Sequence, residues 1–304
     1  MAVRAPLDGM LRRSPAQLAF RRLAARRLTV LAYHGVDDPD SFRRQLDHLV
    51  ATACPVSLEE VAAAVARRRR LPPRAVLVTF DDGHRSLLDA GLPLLRERGI
   101  PAVAFVVAGL LDTETPFWWT EVEQLLARGG RTGGDGGRPP SVLVARLKAV
   151  PDAERLQAIA ELRRTASGPA PPAPQLRRDE LSLLEAAGIA VENHTWSHPC
   201  LPRCDDHKAA AEAHHAHRAL RDVLGREPRA FAYPNGDWDE RTERALAAAG
   251  YAAAFLFDHR VNRAAPGHPL RLSRVRVNSD TSLDRFAIIL SGLHPALHHA
   301  RGRS

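Results

Sequence analysis

The sequence predicts an α/β fold in which parallel strands alternate with helices and close into a (β/α) barrel. Short apolar runs rich in β-branched residues alternate along the chain with longer segments that have helical spacing. The run from Ala75 to Phe80 ends in Asp81 and Asp82, and α/β folds keep their chemistry at such strand ends. The chain has 304 residues, of which 45% are hydrophobic, so it can form one large core.

The first part of the barrel is predicted in the order strand, two helices, strand, helix, strand. The predicted strands are Leu28 to Tyr33, Ala75 to Phe80 and Pro101 to Val107, and the helices are Ser41 to Val50, Leu58 to Ala66 and Arg85 to Arg98. Phe42, Leu46 and Leu49 share one face of the first helix, and Gly99 ends the third. Helices between successive strands favour parallel pairing through crossover connections.

The alternation breaks between about residues 113 and 174. Gly133 to Pro140 and Pro169 to Pro174 have the composition of linkers. The helices predicted in this stretch are Phe117 to Leu126, Val142 to Val150 and Ala153 to Arg164. We interpret the stretch as a helical insertion near the strand ends, where it shapes substrate access. The adjacent Trp118 and Trp119 are suited either to stack on a sugar ring or to pack in a core.

The alternation of strands and helices then resumes and brings the predicted strands to seven. The strands are Ile189 to Glu192, Arg229 to Tyr233, Tyr251 to Phe257 and Leu270 to Val277, and the helices are Leu181 to Ala187, Asp205 to Leu224, Asp239 to Ala249 and Leu283 to Leu293. Gly188, Gly225 and Gly250 end three of these helices. We therefore divide the chain into a basic arm (1–27) and a barrel (28–304) with its insertion.

The charge of the chain restricts its partners. The net charge is +8, and the arm carries seven arginines against the single acid Asp8. Ala16 to Leu28 has the pattern of a short basic helix, for which an anionic membrane is one partner and a solvated arm the alternative. No nucleic-acid-reading motif is present, so nucleic acid is not an expected partner.

Cysteine content and the absence of an export signal predict the compartment. Cys54, Cys200 and Cys204 do not form a disulfide framework, which favours a reducing compartment. No apolar stretch in the first 27 residues is long enough for the hydrophobic region of a signal peptide or for a membrane span. We expect a cytoplasmic protein, with peripheral contact at the inner face of the membrane as a further option.

Side chains suited to metal binding follow two predicted strands. Asp81 and Asp82 end one strand, and His194 and His198 end another. Two imidazoles and one carboxylate leave coordination positions open for water and substrate. We therefore predict a divalent metal site on Asp82, His194 and His198. Asp81 is then the adjacent base that takes the proton of the water.

Competing interpretations of this site come from the same part of the sequence. An Asp-Asp-Gly turn that merely ends a strand is the structural interpretation of the first motif. A rival set for structural zinc consists of His198, Cys200, Cys204 and His207. Neither a Gly-x-Ser-x-Gly nucleophile motif nor a phosphate-binding Gly-rich loop is present.

Three motifs together resemble those of the polysaccharide deacetylase family, also called the NodB-homology or carbohydrate esterase 4 family. They are Thr79-Phe80-Asp81-Asp82-Gly83, His194-Thr195-Trp196-Ser197-His198-Pro199 and Phe231-Ala232-Tyr233-Pro234-Asn235-Gly236. Their order matches, and the resemblance spans Leu28 to Leu293 apart from the insertion. It implies a deformed (β/α)7 barrel that removes N-acetyl groups from amino sugars with a divalent metal.

The resemblance also implies roles for individual residues. It makes Asp81 the general base and Asp82, His194 and His198 the metal ligands. It assigns the backbone after Ala232, chiefly the Tyr233 amide, to the oxyanion. Many relatives have an arginine at the position of Ala232, where it tethers the base, and we expect Arg274 to replace it here.

The general acid has two candidates. The late Leu-x-His motif of the family has only an incomplete counterpart in Leu293-His294, which lacks the intervening residue. The start Ala32-Tyr33-His34-Gly35 resembles a branch with rearranged motif order, which includes exopolysaccharide poly-N-acetylglucosamine deacetylases. In that branch a histidine after the first strand fills the acid position, so we predict His34 as the acid.

The predicted function is that of a metal-dependent hydrolase that removes an N-acetyl or N-formyl group from an amino sugar in a glycan or glycolipid. Zinc is the expected metal, with Co²⁺, Ni²⁺ and Fe²⁺ as alternatives. The alternative function is that of a catalytically inactive glycan-binding protein on the same barrel. The sequence leaves the sugar and the glycan length open.

Overall fold

The computed structural model describes residues 5–67, 69–133 and 137–301. The strands are β1 (Arg27–Tyr33), β2 (Cys54–Pro55), β3 (Ala75–Phe80), β4 (Ala102–Val106), β5 (Ile189–Asn193), β6 (Ala230–Ala232), β7 (Ala253–Phe255), β8 (Asn262–Arg263) and β9 (Val275–Arg276). The helices are α1 (Ala5–Arg13), α2 (Pro15–Ala24), α3 (Pro39–Thr52), α4 (Leu58–Ala66), α5 (Leu92–Glu97), α6 (Trp118–Ala127), α7 (Pro140–Ala149), α8 (Asp152–Thr165), α9 (Arg178–Ala186), α10 (Asp206–Leu224), α11 (Glu240–Ala248), α12 (Leu283–Leu290) and α13 (Leu293–Arg301).

The strands form one curled sheet with the order β7-β6-β5-β4-β3-β1, and every neighbouring pair on this path is parallel. The segment around β9 bridges the two ends of the sheet. Leu272 pairs with Phe255 in β7, and Val275 pairs with Leu31 in β1. The pairing at this junction is short, which makes the closure irregular. The predicted deformed (β/α)7 barrel is confirmed.

Alternation along β3 separates the two faces of the barrel wall. Val78 and Phe80 pack in the core between the sheet and the outer helices, whereas Leu77 packs with inward-facing residues of other strands. Because strand side chains alternate, Thr79 and Asp81 continue the inner face of Leu77. Asp81, directly after this buried strand, therefore lies at the open end of the barrel.

Two predicted helices depart from a regular α-helix in the structure. The segment predicted as Arg85 to Arg98 is helical over residues 85–97, but it widens into a π-turn at Leu87–Gly91, directly before the first turn of α5, which contains Pro93. Pro93 lacks an N–H and is tolerated there. The segment predicted as Leu283 to Leu293 is divided into α12 and α13 at Gly292, whose φ is +81°.

The predicted insertion contains helices α6, α7 and α8, and it has a small core of its own. The residues of this cluster are Trp118, Val122, Leu125, Leu143, Leu147, Ile159 and Leu162. The cluster is apolar and distinct from the clusters that line the sheet. Residues 134–136 of the predicted Gly-rich linker lie outside the described residues.

The basic arm contains α1 and α2, and both helices contact the last part of the barrel. Arg12 forms an ion pair with Asp284 at 2.6 Å, and Asp8 accepts a 2.9 Å hydrogen bond from Arg285. The predicted helix from Ala16 to Leu28 corresponds to α2, whereas α1 was not predicted. Residues 1–4, with Arg4, lie outside the described residues. Among the described helices, none combines the length and apolar character needed to cross a bilayer.

The layer between β1, β3 and α3 is expected to dominate the stability of the barrel. Phe42 is fully buried and contacts the rings of Tyr33 and Phe80 edge-on, at centroid distances of 5.3 and 6.0 Å. Phe42→Ala removes these contacts and leaves a cavity, so the free energy of unfolding should fall by about 3–5 kcal/mol. Urea denaturation followed by circular dichroism measures this change.

A matched truncation at an exposed apolar position serves as the control for Phe42→Ala. Leu18 on α2 is 60% exposed, so Leu18→Ala should change the free energy of unfolding by less than about 0.5 kcal/mol. Equal effects of the two variants would show that the α3 layer does not carry the stability.

Candidate active site

Asp81 follows β3 and is held by the fully buried Arg274. The guanidinium donates to both carboxylate oxygens, at 2.6 Å to Oδ1 and 2.8 Å to Oδ2. It also donates to the hydroxyl of Thr79 and the carbonyl of Leu256. Burial raises the pKa of Asp81, but the charges of Arg274 and His194 outweigh burial and hold the pKa below its usual range. The structure thus brings together the two residues that the sequence predicted as a pair, and it keeps Asp81 ionised.

Asp82 points into the same site because the backbone leaves strand geometry there. The φ angle of Asp82 is +69°, a left-handed conformation that residues with a side chain rarely adopt. Gly83 follows with φ +77°, and a Cβ atom there would lie 3.1 Å from Cγ1 of Val106. The turn therefore requires glycine, and it aims two neighbouring carboxylates at one region.

The loop after β5 is folded by its own polar side chains. The Oδ1 atom of Asn193 accepts a 2.7 Å hydrogen bond from the Thr195 amide, and the hydroxyl of Thr195 accepts one of 3.0 Å from the His198 amide. Thr195 and His198 have φ angles of +70° and +55°. This folding brings the rings of His194 and His198 to a centroid distance of 4.7 Å.

Glu212 on α10 holds the middle of this loop. Its buried carboxylate accepts hydrogen bonds from the amides of Trp196 (3.0 Å) and Ser197 (2.8 Å) and from the Ser197 hydroxyl (2.7 Å). Lys208 forms an ion pair with it at 2.7 Å. The loop is therefore anchored to a barrel helix before it reaches His198.

The atoms of Asp82, His194 and His198 form a compact ligand set. Oδ1 of Asp82 lies 3.3 Å from Nε2 of His194 and 3.3 Å from Nε2 of His198. Two atoms that each lie about 2.0–2.1 Å from a tetrahedral ion are about 3.3 Å apart, so this spacing fits one zinc-sized cation. Among the residues that the structure describes, no other group of three or more His, Cys, Asp or Glu side chains comes together in this way.

Hydrogen bonding also favours a cation between these three side chains. Oδ1 of Asp82 is buried without a hydrogen-bond partner in the described part of the chain. Nδ1 of His194 donates to the Ala232 carbonyl at 2.8 Å, which leaves the lone pair of Nε2 directed at Asp82. An unpartnered buried carboxylate oxygen is unfavourable, and a bound cation satisfies it.

The electrostatic field at the ligand set attracts positive charge. Burial lowers the pKa of His194, but the carboxylates of Asp81 and Asp82 outweigh burial and raise the pKa above its usual value. At His198 burial prevails and lowers the pKa to about 3, despite the opposing effect of Asp82. A neutral imidazole is the form that binds a metal. The residues present therefore fit a divalent metal ion.

A cavity of about 730 Å³ opens over this ligand set, a volume in the usual range of roughly 300–1,000 Å³ for ligand sites. Asp81, Asp82, His194 and His198 lie at its floor, and the insertion contributes Trp119, Val144 and Lys148 to its wall. His34 lines the same cavity. Burial lowers the pKa of His34, and the charges of Asp82 and Asp81 partly offset this effect.

The structure corrects the expected role of the Tyr233 amide. That amide donates a 3.1 Å hydrogen bond to the Phe255 carbonyl of β7, so sheet pairing occupies it. Tyr233 is fully buried, and its hydroxyl donates to the Leu270 carbonyl. Asn235, two residues further on, lines the cavity with φ +57°. Among the described residues its amide has no acceptor, so Asn235 is the better candidate for the oxyanion.

The second acid candidate lies apart from the cavity, and Cys200, Cys204 and His207 of the rival zinc set do not join His198 there. His294 lies on α13, 3.5 Å from the Arg285 guanidinium, and burial lowers its pKa to about 4. The rival zinc ligands do not assemble within the described chain. Burial raises the pKa of Cys204 to about 12, which disfavours the thiolate that zinc requires.

His84 is a cavity residue that the sequence motifs did not reveal. Its Nε2 atom lies 3.6 Å from Oδ2 of Asp82, the oxygen that does not face the two histidines. Burial raises the pKa of Asp82, but contacts with His194 and His84 outweigh burial and lower the pKa well below its usual range. The position of His84, directly after Asp-Asp-Gly at a strand end, was the available signal.

Comparison with known proteins gives a family match over residues 68–254, to the model described as polysaccharide deacetylase. Chitin deacetylase 1 from Cryptococcus neoformans is 38% identical over 74 residues. That match covers 24% of this chain and only 16% of the chitin deacetylase.

Solved structures share the fold. IcaB from Ammonifex degensii has a TM-score of 0.61 at 22% identity, over 88% of this chain and 97% of that one. The Streptococcus pyogenes deacetylase PplD, solved in complex with acetate, has a TM-score of 0.59 at 19% identity. That alignment covers 84% of this chain and 94% of PplD.

The family match and the geometry concern the same residues. The matched stretch spans more than half of the chain and contains Asp81, Asp82, His194 and His198. These side chains meet at one cavity of a barrel whose fold the two solved structures share. The chain therefore belongs to the polysaccharide deacetylase family.

Proposed function

We propose that this chain is a metal-dependent hydrolase that removes an N-acetyl group from an amino sugar in a glycan or glycolipid. The observation that carries the proposal is the 3.3 Å spacing of the Asp82, His194 and His198 ligand atoms. The carboxylate of Asp81, the proposed base, lies beside this set. The full set of reactive side chains supports an enzyme rather than an inactive glycan-binding protein.

Asp82, His194 and His198 hold the cation in this proposal. A divalent ion there activates a water molecule and polarises the acyl carbonyl as a Lewis acid, and zinc suits a site with two imidazoles and one carboxylate. The Nδ1–H of His194, fixed on the Ala232 carbonyl, orients that ring for binding.

Asp81 is the general base. It takes a proton from the attacking water while the water oxygen bonds to the acyl carbon. The two hydrogen bonds from Arg274 fix the carboxylate plane and keep the group ionised, so it is ready to accept the proton. Without this pairing, burial would favour the protonated form, which cannot act as a base.

The remaining groups act on the tetrahedral intermediate. The Asn235 amide at the cavity wall donates a hydrogen bond to the negative oxygen. When the carbon–nitrogen bond breaks, the leaving amine needs a proton, and His34 supplies it. The products are acetate and a free amino sugar.

Two comparisons support an acetylated glycan as the substrate. One matched protein is named a chitin deacetylase, and one structural neighbour was solved with acetate. An acetate-release screen tests the proposal on N-acetylglucosamine oligomers, peptidoglycan fragments and lipid-linked amino sugars, with formate measured in parallel. Zinc-loaded protein that releases neither acid from any of these substrates would overturn it.

Removal of a ligand should remove the metal. Asp82→Ala and His194→Ala each delete one of three protein ligands, so the purified variants should retain little zinc in elemental analysis. Cys204→Ser, which alters the rival cluster, should keep one equivalent. If both ligand variants keep their full zinc content and Cys204→Ser loses its zinc, the zinc site lies at the cysteine cluster instead.

Asp81→Asn should separate catalysis from metal binding. The amide keeps the shape of the carboxylate but cannot take a proton, so turnover should fall roughly 10²–10⁴-fold while zinc content stays unchanged. Asp222→Asn on the exposed surface of α10 is the matched control and should retain full turnover. Near-normal turnover of zinc-loaded Asp81→Asn would exclude Asp81 as the base.

The acid assignment is tested by two histidine variants. His34→Ala should keep fold and zinc but lose most activity, whereas His294→Ala should behave like the wild type. An acid must be protonated, so wild-type activity should decline as pH rises through the pKa of His34, which burial places below 6.5. The residual activity of His34→Ala should lack this decline in a pH–rate profile. An inactive His294→Ala variant would assign the acid to the late motif instead.

A further inference from the structure

We propose that Trp118 is a positioning residue for the metal ligand His198, so that the insertion completes the metal centre as well as walling the cavity. This inference rests on the proposed metal site. It concerns a side chain that touches neither the ligand atoms nor the reacting groups. It acts through the backbone of His198.

The contact is a buried hydrogen bond between two segments 80 residues apart in the sequence. Nε1 of Trp118, in the first turn of α6, donates to the His198 carbonyl at 3.0 Å. Trp118 is 8% exposed and His198 is 6% exposed, so water does not readily replace this bond. A buried carbonyl that loses its donor is left unsatisfied, which is unfavourable.

The position of His198 in its loop explains why this bond matters. Glu212 holds the amides of Trp196 and Ser197, but its contacts end one residue before His198. His198 itself has φ +55°, a conformation that persists only where its surroundings fix it. Two hydrogen bonds hold its peptide groups: the Thr195 hydroxyl accepts from its amide, and Trp118 donates to its carbonyl.

A buried ion pair packs against the indole ring of Trp118. The Arg155 guanidinium lies over the Trp118 ring, 4.8 Å from its centroid, and it donates two hydrogen bonds to Asp152 at 3.0 and 2.6 Å. Arg155 and Asp152 are 3% and 7% exposed. The helix α8 therefore fixes the plane of the ring, and the ring fixes the direction of its N–H.

Trp119 provides an internal comparison because it touches the same ligand differently. Its ring packs edge-on against the His198 imidazole at a centroid distance of 4.7 Å and lines the cavity. This contact is made by the ring and not through a hydrogen bond to the His198 backbone. The support for the His198 backbone therefore comes from Trp118, and a phenylalanine at residue 119 would preserve most of the ring contact.

The test is the zinc affinity of the full-length apoprotein, measured by competition with a chromogenic chelator. Trp118→Phe keeps an aromatic ring in the insertion core but removes the N–H donor. We expect zinc to bind about 10–100-fold more weakly, the usual effect of losing an outer partner of a metal ligand. The visible absorption of bound Co²⁺ should also change, because it reports ligand geometry rather than turnover.

Two matched variants separate positioning from general loosening of the insertion. Trp119→Phe removes the neighbouring indole N–H, and Leu162→Ala opens a cavity in the insertion core. Both should bind zinc within twofold of the wild type. Zinc affinity and a Co²⁺ spectrum of Trp118→Phe equal to the wild type would overturn the inference, and so would an equal loss in Leu162→Ala. A wild-type protein that binds no zinc would overturn the proposed function and this inference with it.

A second measurement covers the case in which Trp118→Phe does not fold. The four tryptophans of the chain give four indole signals in the spectrum of ¹⁵N-tryptophan-labelled protein. The Trp118 signal follows by elimination from Trp119→Phe, Trp196→Phe and Trp238→Phe. One equivalent of zinc should shift this signal and slow its hydrogen exchange. An unchanged signal would overturn the inference.

Discussion

The buried ion pair between Arg274 and Asp81 is the interaction on which the rest of the site depends. Arg274 lies in the segment that bridges the two ends of the sheet, and Asp81 ends the central strand β3. Removing one partner of such a pair destabilises a protein by about 3–5 kcal/mol, because the remaining charge is buried alone. Barrel closure and the ionisation of Asp81 therefore rest on the same contact.

The pair also divides the roles of two adjacent carboxylates. One guanidinium neutralises Asp81 with both of its terminal nitrogens, whereas Asp82 faces only imidazoles. Asp81 is thus left with oxygen lone pairs that can accept a proton, and Asp82 with an oxygen that lacks a hydrogen-bond partner among the described residues. Although the chain is basic, with a net charge of +8, the floor of this cavity attracts a cation.

The sequence predicted those parts of the site that depend on strand ends. Asp81, Asp82, His194 and His198 each follow a buried strand, and the carboxyl ends of parallel strands meet at one edge. It also predicted Arg274 as the partner of Asp81, because the resemblance showed an arginine missing at Ala232. The fold prediction succeeded because seven apolar runs separated by helices favour one topology.

Features that depend on pairing register or on contacts between distant segments were not predictable in this way. The Tyr233 amide is unavailable because it continues the pairing of β6 with β7. No local sequence pattern shows at which residue the pairing of two strands ends. The π-turn before α5 was not predictable either. The only local signal is Pro93, and a proline is equally compatible with the first turn of an ordinary α-helix. The bond from Trp118 to His198 joins an insertion to a barrel loop, and adjacent tryptophans are equally typical of a core.

The insertion contributes both to the wall of the cavity and to the surroundings of His198. Its small separate core holds α6, and with it Trp118, against the other helices of the insertion. Because Trp118 donates to the His198 carbonyl, the position of α6 and the backbone of His198 depend on each other. The wall residues Trp119 and Lys148 lie on the same insertion, so one set of helices supports both the cavity wall and the His198 backbone. A cavity wall built on the sheet itself would not create this coupling, because strand pairing would hold wall and ligands together throughout.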